Sequence, residues 1–296
     1  MAVVRGQAGA GLAPLGVGVT GLLGPREVRA LLAAHGLAPR KRAGQNFVVD
    51  PNTVRKVVRD AGVAAGDLVV EIGPGVGSLT LALREVGARV IAIEIDAGLV
   101  RVLADVVGDD DAVQIVHADA LRVDLAALVR AAGGPPARVV ANLPYHVATP
   151  LLLALLDAGV FSAIHVMVQK EVGRRWAARV GDPLYAAISV KLAALASVRV
   201  VAAVPRSAFW PEPNVDSVTV AVQPRPWTLP VAREALFAAV EAGFAQRRKR
   251  LRNALATASR PPAAVEEALT AAGLPTGARA EELDLERWAA LAAHLP

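Results

Sequence analysis

The chain has 296 residues, 32 Lys and Arg against 27 Asp and Glu, and no cysteine. Its length supports one large domain and a smaller one, and the missing cysteines exclude disulfides and thiolate metal sites and fit a reducing cytoplasm. Although 54% of the residues are hydrophobic, the excess is Ala and Val, and Pro150, Asp157 and His165 interrupt the most apolar region. No membrane span is expected.

Residues 1–25 are rich in Gly and Ala, with apolar positions broken by Gly11, Pro14, Gly16 and Gly18. This pattern predicts a disordered extension rather than a targeting signal. Helices are expected over 24–35 and 51–61. From Asp67 onward, short β-branched runs alternate with Ala/Leu-rich periodic segments, as in an open α/β sheet. Strands are expected at 68–72, 90–95, 113–117, 138–142, 163–169, 198–204 and 217–222, and helices at 79–86, 98–107, 125–132, 150–158 and 186–196. Seven strands, the last two close together after a long insert, predict a mostly parallel sheet with an antiparallel edge pair. This is a Rossmann-like class I methyltransferase layout. Strand signals stop after the proline-rich 223–230 segment, which divides the chain into a Rossmann-like domain at 26–226 and a helical domain at 227–296.

The first of these strands leads into Gly73-Pro74-Gly75-Val76-Gly77, a strand-to-helix turn whose missing Cβ atoms allow close approach of a ligand. The spacing is neither the dinucleotide fingerprint nor a phosphate-binding loop, and an amino acid moiety fits it better than a pyrophosphate. Taken alone, the loop is weak evidence, since a minority of such matches, about a third, are ordinary tight turns. The next strand ends at Glu94, twenty-one residues after Gly73, where an acid accepts from both ribose hydroxyls. The third ends in His117-Ala118-Asp119, and Asp119 can accept from an adenine amino group. Glycine, Glu and Asp at three successive strand ends imply S-adenosylmethionine.

Asn142-Leu143-Pro144-Tyr145 follows an apolar run, and presents an amide oxygen, a free backbone carbonyl and an aromatic face to one small volume. That set suits a purine with an exocyclic amine. If Asn142 Oδ1 and the Pro144 carbonyl each accept an N6 hydrogen, they localise the nitrogen lone pair, and Tyr145 stacks on the base. Phe209 either forms the other face of that sandwich or is a buried aromatic. The base must leave any helical stack to be reached. The five histidines show no ligand spacing, so no metal is expected. Positive charge clusters in Arg247-Arg248-Lys249-Arg250-Leu251-Arg252, expected on a helix, which is either a solvated face or a nucleic-acid contact.

These residues resemble the rRNA adenine N6,N6-dimethyltransferases, most closely the bacterial small-subunit branch, over roughly 38–257. The resemblance is carried by Gly44-Gln45-Asn46-Phe47, Glu71-Ile72-Gly73-Pro74-Gly75, Ile93-Glu94-Ile95-Asp96, Asn142-Leu143-Pro144-Tyr145, Gln169-Lys170-Glu171-Val172, Pro205-Arg206-Ser207-Ala208-Phe209, Pro213-Asn214-Val215-Asp216-Ser217 and Phe244-Ala245-Gln246-Arg247-Arg248-Lys249. It implies cofactor contacts at Asn46, the Val48 backbone, Gly73, Glu94, Asp119 and Asn142. It also implies transfer of four methyl groups to two adjacent adenosines in the 3′-terminal hairpin of 16S rRNA in the 30S subunit, by a monomer whose helical domain engages the subunit through Arg247, Arg248, Lys249, Arg250 and Arg252. Ala43, Val48 and His146 depart from the usual aromatic, Leu and Asn, and His146 bears on target fit. The competing readings are a 23S rRNA adenine dimethyltransferase of the macrolide-resistance type, a non-catalytic assembly factor and a DNA adenine methyltransferase.

Overall fold

The computed structural model describes residues 2–4, 21–40, 44–144, 147–247 and 249–296. These form two compact units, one of residues 1–170 with 199–224 and the other of 171–198 with 225–296.

The first unit is built on a sheet of eight strands. In chain order it contains β1 (Ala2–Val4), α1 (Pro25–Ala34), β2 (Phe47–Val48), α2 (Pro51–Asp60), β3 (Leu68–Ile72), α3 (Ser78–Glu85) and β4 (Arg89–Glu94). There follow α4 (Ala97–Val107), β5 (Val113–His117), α5 (Leu125–Ala131), β6 (Ala137–Asn142), α6 (Ala148–Asp157) and β7 (Phe161–Gln169). The unit is completed by β8 (Ala196–Val204), β9 (Phe209–Trp210) and β10 (Ser217–Pro224). The sheet order is β1-β5-β4-β3-β6-β7-β10-β8, and β2 and β9 form a separate antiparallel pair. The five strands from β5 to β7 run parallel, with β10 antiparallel to β7. All five residues of β3 are buried, as expected of a parallel strand covered by helices on both faces.

Chain order reverses at β3, which has β4 on one side and β6 on the other. The βα turns on its two sides therefore diverge and leave a crevice at the carboxyl ends of the strands. Capping fixes where the helices begin. The Asp50 side chain accepts from the Asn52 and Thr53 amides ahead of Pro51, and Asp96 accepts from Gly98 and Leu99. At Gly77 (φ +94°), an added Cβ would lie 3.0 Å from Leu103 Cδ1 of α4, so both the turn and the close helix packing need glycine.

The second unit is helical: α7 (Lys170–Ala177), α8 (Ala187–Leu195), α9 (Arg233–Ala245), α10 (Leu251–Ala254), α11 (Pro262–Ala271) and α12 (Leu285–His294). Its core gathers Leu236, Val240, Leu251, Leu269 and Trp288. Gly243 of α9 lets the Trp288 ring approach so closely that a Cβ there would sit 2.5 Å from it.

The seven strands read from the sequence are all present, and three further expectations need correction. The 1–25 segment is not wholly without structure: Ala2–Val4 pair antiparallel with the edge of β5, and Leu23 is buried beside α1. Residues 171–198 group with the C-terminal helices rather than with 26–226. The buried Tyr185 hydroxyl fastens that insert by donating to the Leu283 carbonyl at 2.8 Å. The basic run is not one helix, since it occupies the break between α9 and α10, where Leu251 turns into the core. Among the described residues, no helix is long and apolar enough to cross a membrane.

His165 of β7 is 3% exposed, and its Nε2 has no partner. Burial holds its pKa down at about 4 from the ordinary 6.5, outweighing the upward pull of Asp60, with Arg199 and Lys56 adding to the depression. The unfolded chain therefore takes up this proton first, so stability falls as pH drops from 6.5 toward 4, by about 3 kcal/mol in all. Replacing His165 with Leu should remove that component from the pH dependence of the urea midpoint. Identical slopes in the two proteins would contradict it.

Candidate active site

A cleft of about 780 Å³ opens at the carboxyl ends of β3, β4, β5 and β6. The strand order β5-β4-β3-β6 places Asp119, Glu94, Gly73 and Asn142 one after another along its floor. Three interstrand steps of about 4.8 Å give a row about 14 Å long, suited to an extended ligand laid across the strand ends.

At the β3 end, Gly73 and Gly75 have φ of +67° and +60°. A Cβ on Gly75 would come within 3.1 Å of the Phe47 ring, so the turn stays open only with glycine there. Glu94, 4% exposed, accepts from the Gly75 amide at 3.1 Å and the Asp96 amide at 2.9 Å. Burial nonetheless raises its pKa, more than those two N–H groups lower it. Asp119 accepts from the Leu121 amide at 2.9 Å through Oδ1, and its Oδ2 lies 3.5 Å from Arg122 Nε.

On the β6 side, Asn142 Nδ2 donates to the Asn46 carbonyl at 3.2 Å, and Asn142 Oδ1 is buried with no partner. A buried amide oxygen left without a donor carries a desolvation cost that an incoming N–H relieves. Leu143 is buried and donates its amide to the Met167 carbonyl at 3.0 Å, which fixes Asn142 at the end of the sheet. The Pro144 carbonyl is not free as expected. It accepts from the Val147 amide at 3.2 Å, closing the turn into α6, and its second lone pair remains for a ligand. Tyr145 and His146 lie outside the described residues.

Asn46 and Val48 arrive on the segment that crosses the cleft from α1. The Asn46 side chain donates to the Gly44 carbonyl at 3.2 Å, and Val48 lies in β2, paired with Phe209 of β9. Of the two readings of Phe209, the buried aromatic is the one the structure supports, and its expected place against the target base is corrected. It is 3% exposed, belongs to the core cluster that holds Val48, Val54 and Leu79, and is not itself among the residues lining the cleft. Pairing of β9 with β2 turns that side chain inward.

Two features of the cleft went unread in the sequence. Asp96 caps α4 and also binds Arg40 and, at 3.5 Å, Gln45 Nε2, tying down the crossing segment. Its signal was an Asp just before the helix. Glu71, an acid inside the apolar run Leu68–Ile72, is 1% exposed and lines the cleft. It accepts from Thr80 Oγ1 at 2.6 Å, and burial raises its pKa to about 8.

Of the basic residues expected to bind RNA, Arg247 pairs with Glu281 at 2.7 Å and Arg252 with Glu266 at 3.2 Å. Lys249 and Arg250 are exposed and have no acidic partner among the described residues. Arg248 lies outside the described residues. No group of His, Asp and Glu suited to a metal occurs among the described residues.

The donors and acceptors present fit S-adenosylmethionine. Gly73 and Gly75 leave the loop open to a ligand, Glu94 offers a buried carboxylate acceptor, and Asp119 offers another carboxylate at the end of the row. The family model described as ribosomal RNA adenine dimethylase matches residues 36–295. The ribosomal RNA small subunit methyltransferase A of Streptomyces griseus subsp. griseus is 47% identical over 286 residues, covering 93% of this chain and 96% of its own. Its counterpart in Leifsonia xyli subsp. xyli is 48% identical over 282 residues, covering 92% and 98%. Among solved structures, the 23S rRNA methyltransferase ErmE aligns with a TM-score of 0.62 and 28% identity over 84% of this chain and 99% of that one. A dimethyladenosine transferase from Plasmodium falciparum aligns at 0.67 with 24% identity over 83% and 95%, a likeness of fold. With the glycine loop, the strand-end acids and the Asn142 corner all inside the matched span, the chain belongs to the ribosomal RNA adenine dimethylase family.

Proposed function

We propose that this enzyme uses S-adenosylmethionine to dimethylate N6 of two adjacent adenosines in the 3′-terminal hairpin of 16S rRNA within the 30S subunit, as a step in small-subunit biogenesis. Support for the small-subunit target comes from the relatives named for it, which are 47% and 48% identical against 28% for the 23S rRNA enzyme. The ribosomal subunit is a cytoplasmic particle, in keeping with a chain free of cysteine.

The observation that carries the chemistry is the buried, unpartnered Asn142 Oδ1 beside an Nδ2 already engaged by the Asn46 carbonyl. An adenine amine is a weak nucleophile because its lone pair is delocalised into the ring. Asn142 Oδ1 and the second lone pair of the Pro144 carbonyl accept the two N6 hydrogens, which favours a pyramidal nitrogen with its lone pair pointing into the cleft. Glu94 would hold the ribose hydroxyls and Asp119 the adenine amine of the cofactor, with Asn46 and the Val48 backbone as further contacts. When bound, the cofactor supplies an electrophilic methyl group on a sulfonium sulfur. Positioning and preorganised acceptors then account for the rate; the methylated N6 would carry the positive charge and lose one N–H proton to solvent, so no carboxylate base is needed.

Replacing Asn142 with Ala should lower turnover by at least about 100-fold while cofactor affinity by calorimetry changes by no more than about threefold, because alignment of N6 acts on the transition state. Wild-type turnover in that variant would rule out this mechanism. The connection between α9 and α10 engages rRNA phosphates through Lys249 and Arg250, with Arg247, Arg248 and Arg252 adding to the field. Reversing Lys249 and Arg250 to Glu should weaken 30S binding and flatten its log–log salt slope by about 2. An unchanged affinity and slope would make the segment an ordinary solvated surface.

A further inference from the structure

Helix α3 opens onto the cleft without a side chain to cap it. Its N-cap is Gly77, and its first turn contains no acid. The first bond of the helix runs from the Leu81 amide to the Gly77 carbonyl at 2.9 Å, and the amides of Ser78, Leu79 and Thr80 donate to no group among the described residues. Such amides at the positive end of a helix dipole favour an anion. Ser78 supplies a second, independent sign. It is 5% exposed and lines the cleft together with Gly73, Gly75 and Leu79, yet its Oγ is buried with no hydrogen-bond partner. The other hydroxyl of this turn, Thr80 Oγ1, donates to Glu71 at 2.6 Å, so Ser78 Oγ is the one left over. A buried hydroxyl without a partner carries a desolvation cost that an incoming acceptor relieves.

Resting on the reading of this cleft as the cofactor site, with the amino acid end of the ligand at β3, we propose that Ser78 and the first turn of α3 receive the carboxylate of that amino acid moiety. The Ser78 hydroxyl and the backbone N–H groups of the turn are donors, and a carboxylate accepts on both of its oxygens. The sulfonium cofactor and its thioether product share this group, so the contact anchors either one rather than telling them apart. Three other charged or titratable groups bear on it. Glu94 is met by the Gly75 and Asp96 amides. Glu71 has its pKa raised by burial to about 8, so at neutral pH it is largely protonated and sets little negative charge against the carboxylate. Arg101 also lines the cleft and has no ion pair among the described residues, which makes it the rival receiver of an anion. It is exposed, where water weakens a charge pair, and it rises from α4, the helix after β4. Ser78 directly follows the glycine loop of β3.

The test titrates S-adenosylmethionine and its decarboxylated form separately into the full-length protein by calorimetry. The second ligand keeps the sulfonium and the ammonium and lacks only the carboxylate. The wild type should bind it at least about tenfold less tightly than S-adenosylmethionine. Ser78→Ala should weaken S-adenosylmethionine by about tenfold and leave the decarboxylated ligand where it was, so that the preference narrows. Arg101→Ala should keep the preference of the wild type. Equal affinity of the wild type for the two ligands overturns the proposal, as does a preference that Ser78→Ala leaves intact or that Arg101→Ala abolishes. Should Ser78→Ala not fold, the wild-type ratio and its survival in Arg101→Ala decide. Failure of S-adenosylmethionine to bind the wild type would instead overturn the assignment of the cleft to the cofactor.

Discussion

The hydrogen bond from Asn142 Nδ2 to the Asn46 carbonyl, 3.2 Å long, is the contact on which the catalytic reading depends. It joins the end of β6 to the segment that crosses the cleft from α1, and it fixes which way the amide faces. With the nitrogen occupied, the oxygen is left buried and without a donor. That polarity suits a ligand bringing an N–H group rather than a carbonyl. On the far side of the crossing segment, Asp96 binds Arg40 and Gln45. One segment is thus held both at the end of β6 and at the start of α4.

The sheet turns chain order into chemical order. Because β4 and β6 flank β3 on opposite sides, the glycine loop sits between the acids at 94 and 119 and the amide at 142. A ligand lying along that row would have its base at β5, its ribose at β4 and its amino acid end at β3, leaving β6 to hold the group that reacts. Glu71 and Glu94 are buried in the floor of that cleft, where an unbalanced charge is expensive.

Much of this was legible in the sequence because the signals are local. Gly73, Gly75, Glu94 and Asp119 stand at strand ends that hydrophobic runs announce, and Asn142-Leu143-Pro144 stops its strand with a proline. What escaped depends on pairing between distant segments. The strands β1, β2 and β9 are two or three residues long, too short for any alternation to mark them. Without the pairing of β2 with β9, nothing in the sequence tells a buried Phe209 from one facing the cleft. Residues 171–198 interrupt the sheet domain in sequence yet fold with the C-terminal helices, where the hydroxyl of Tyr185 reaches Leu283, 98 positions away. The Arg-rich stretch after α9 has helical propensity throughout, but anchoring of Leu251 in the core breaks it.

The central claim, methyl transfer to small-subunit adenosines, is tested most directly by incubating the protein with methyl-labelled S-adenosylmethionine. The substrates are 30S subunits lacking the dimethyladenosines and, in parallel, protein-free 23S rRNA, followed by digestion to nucleosides. The account predicts labelled N6,N6-dimethyladenosine from the 30S sample alone. Label in the 23S rRNA, or none in either sample, would contradict it.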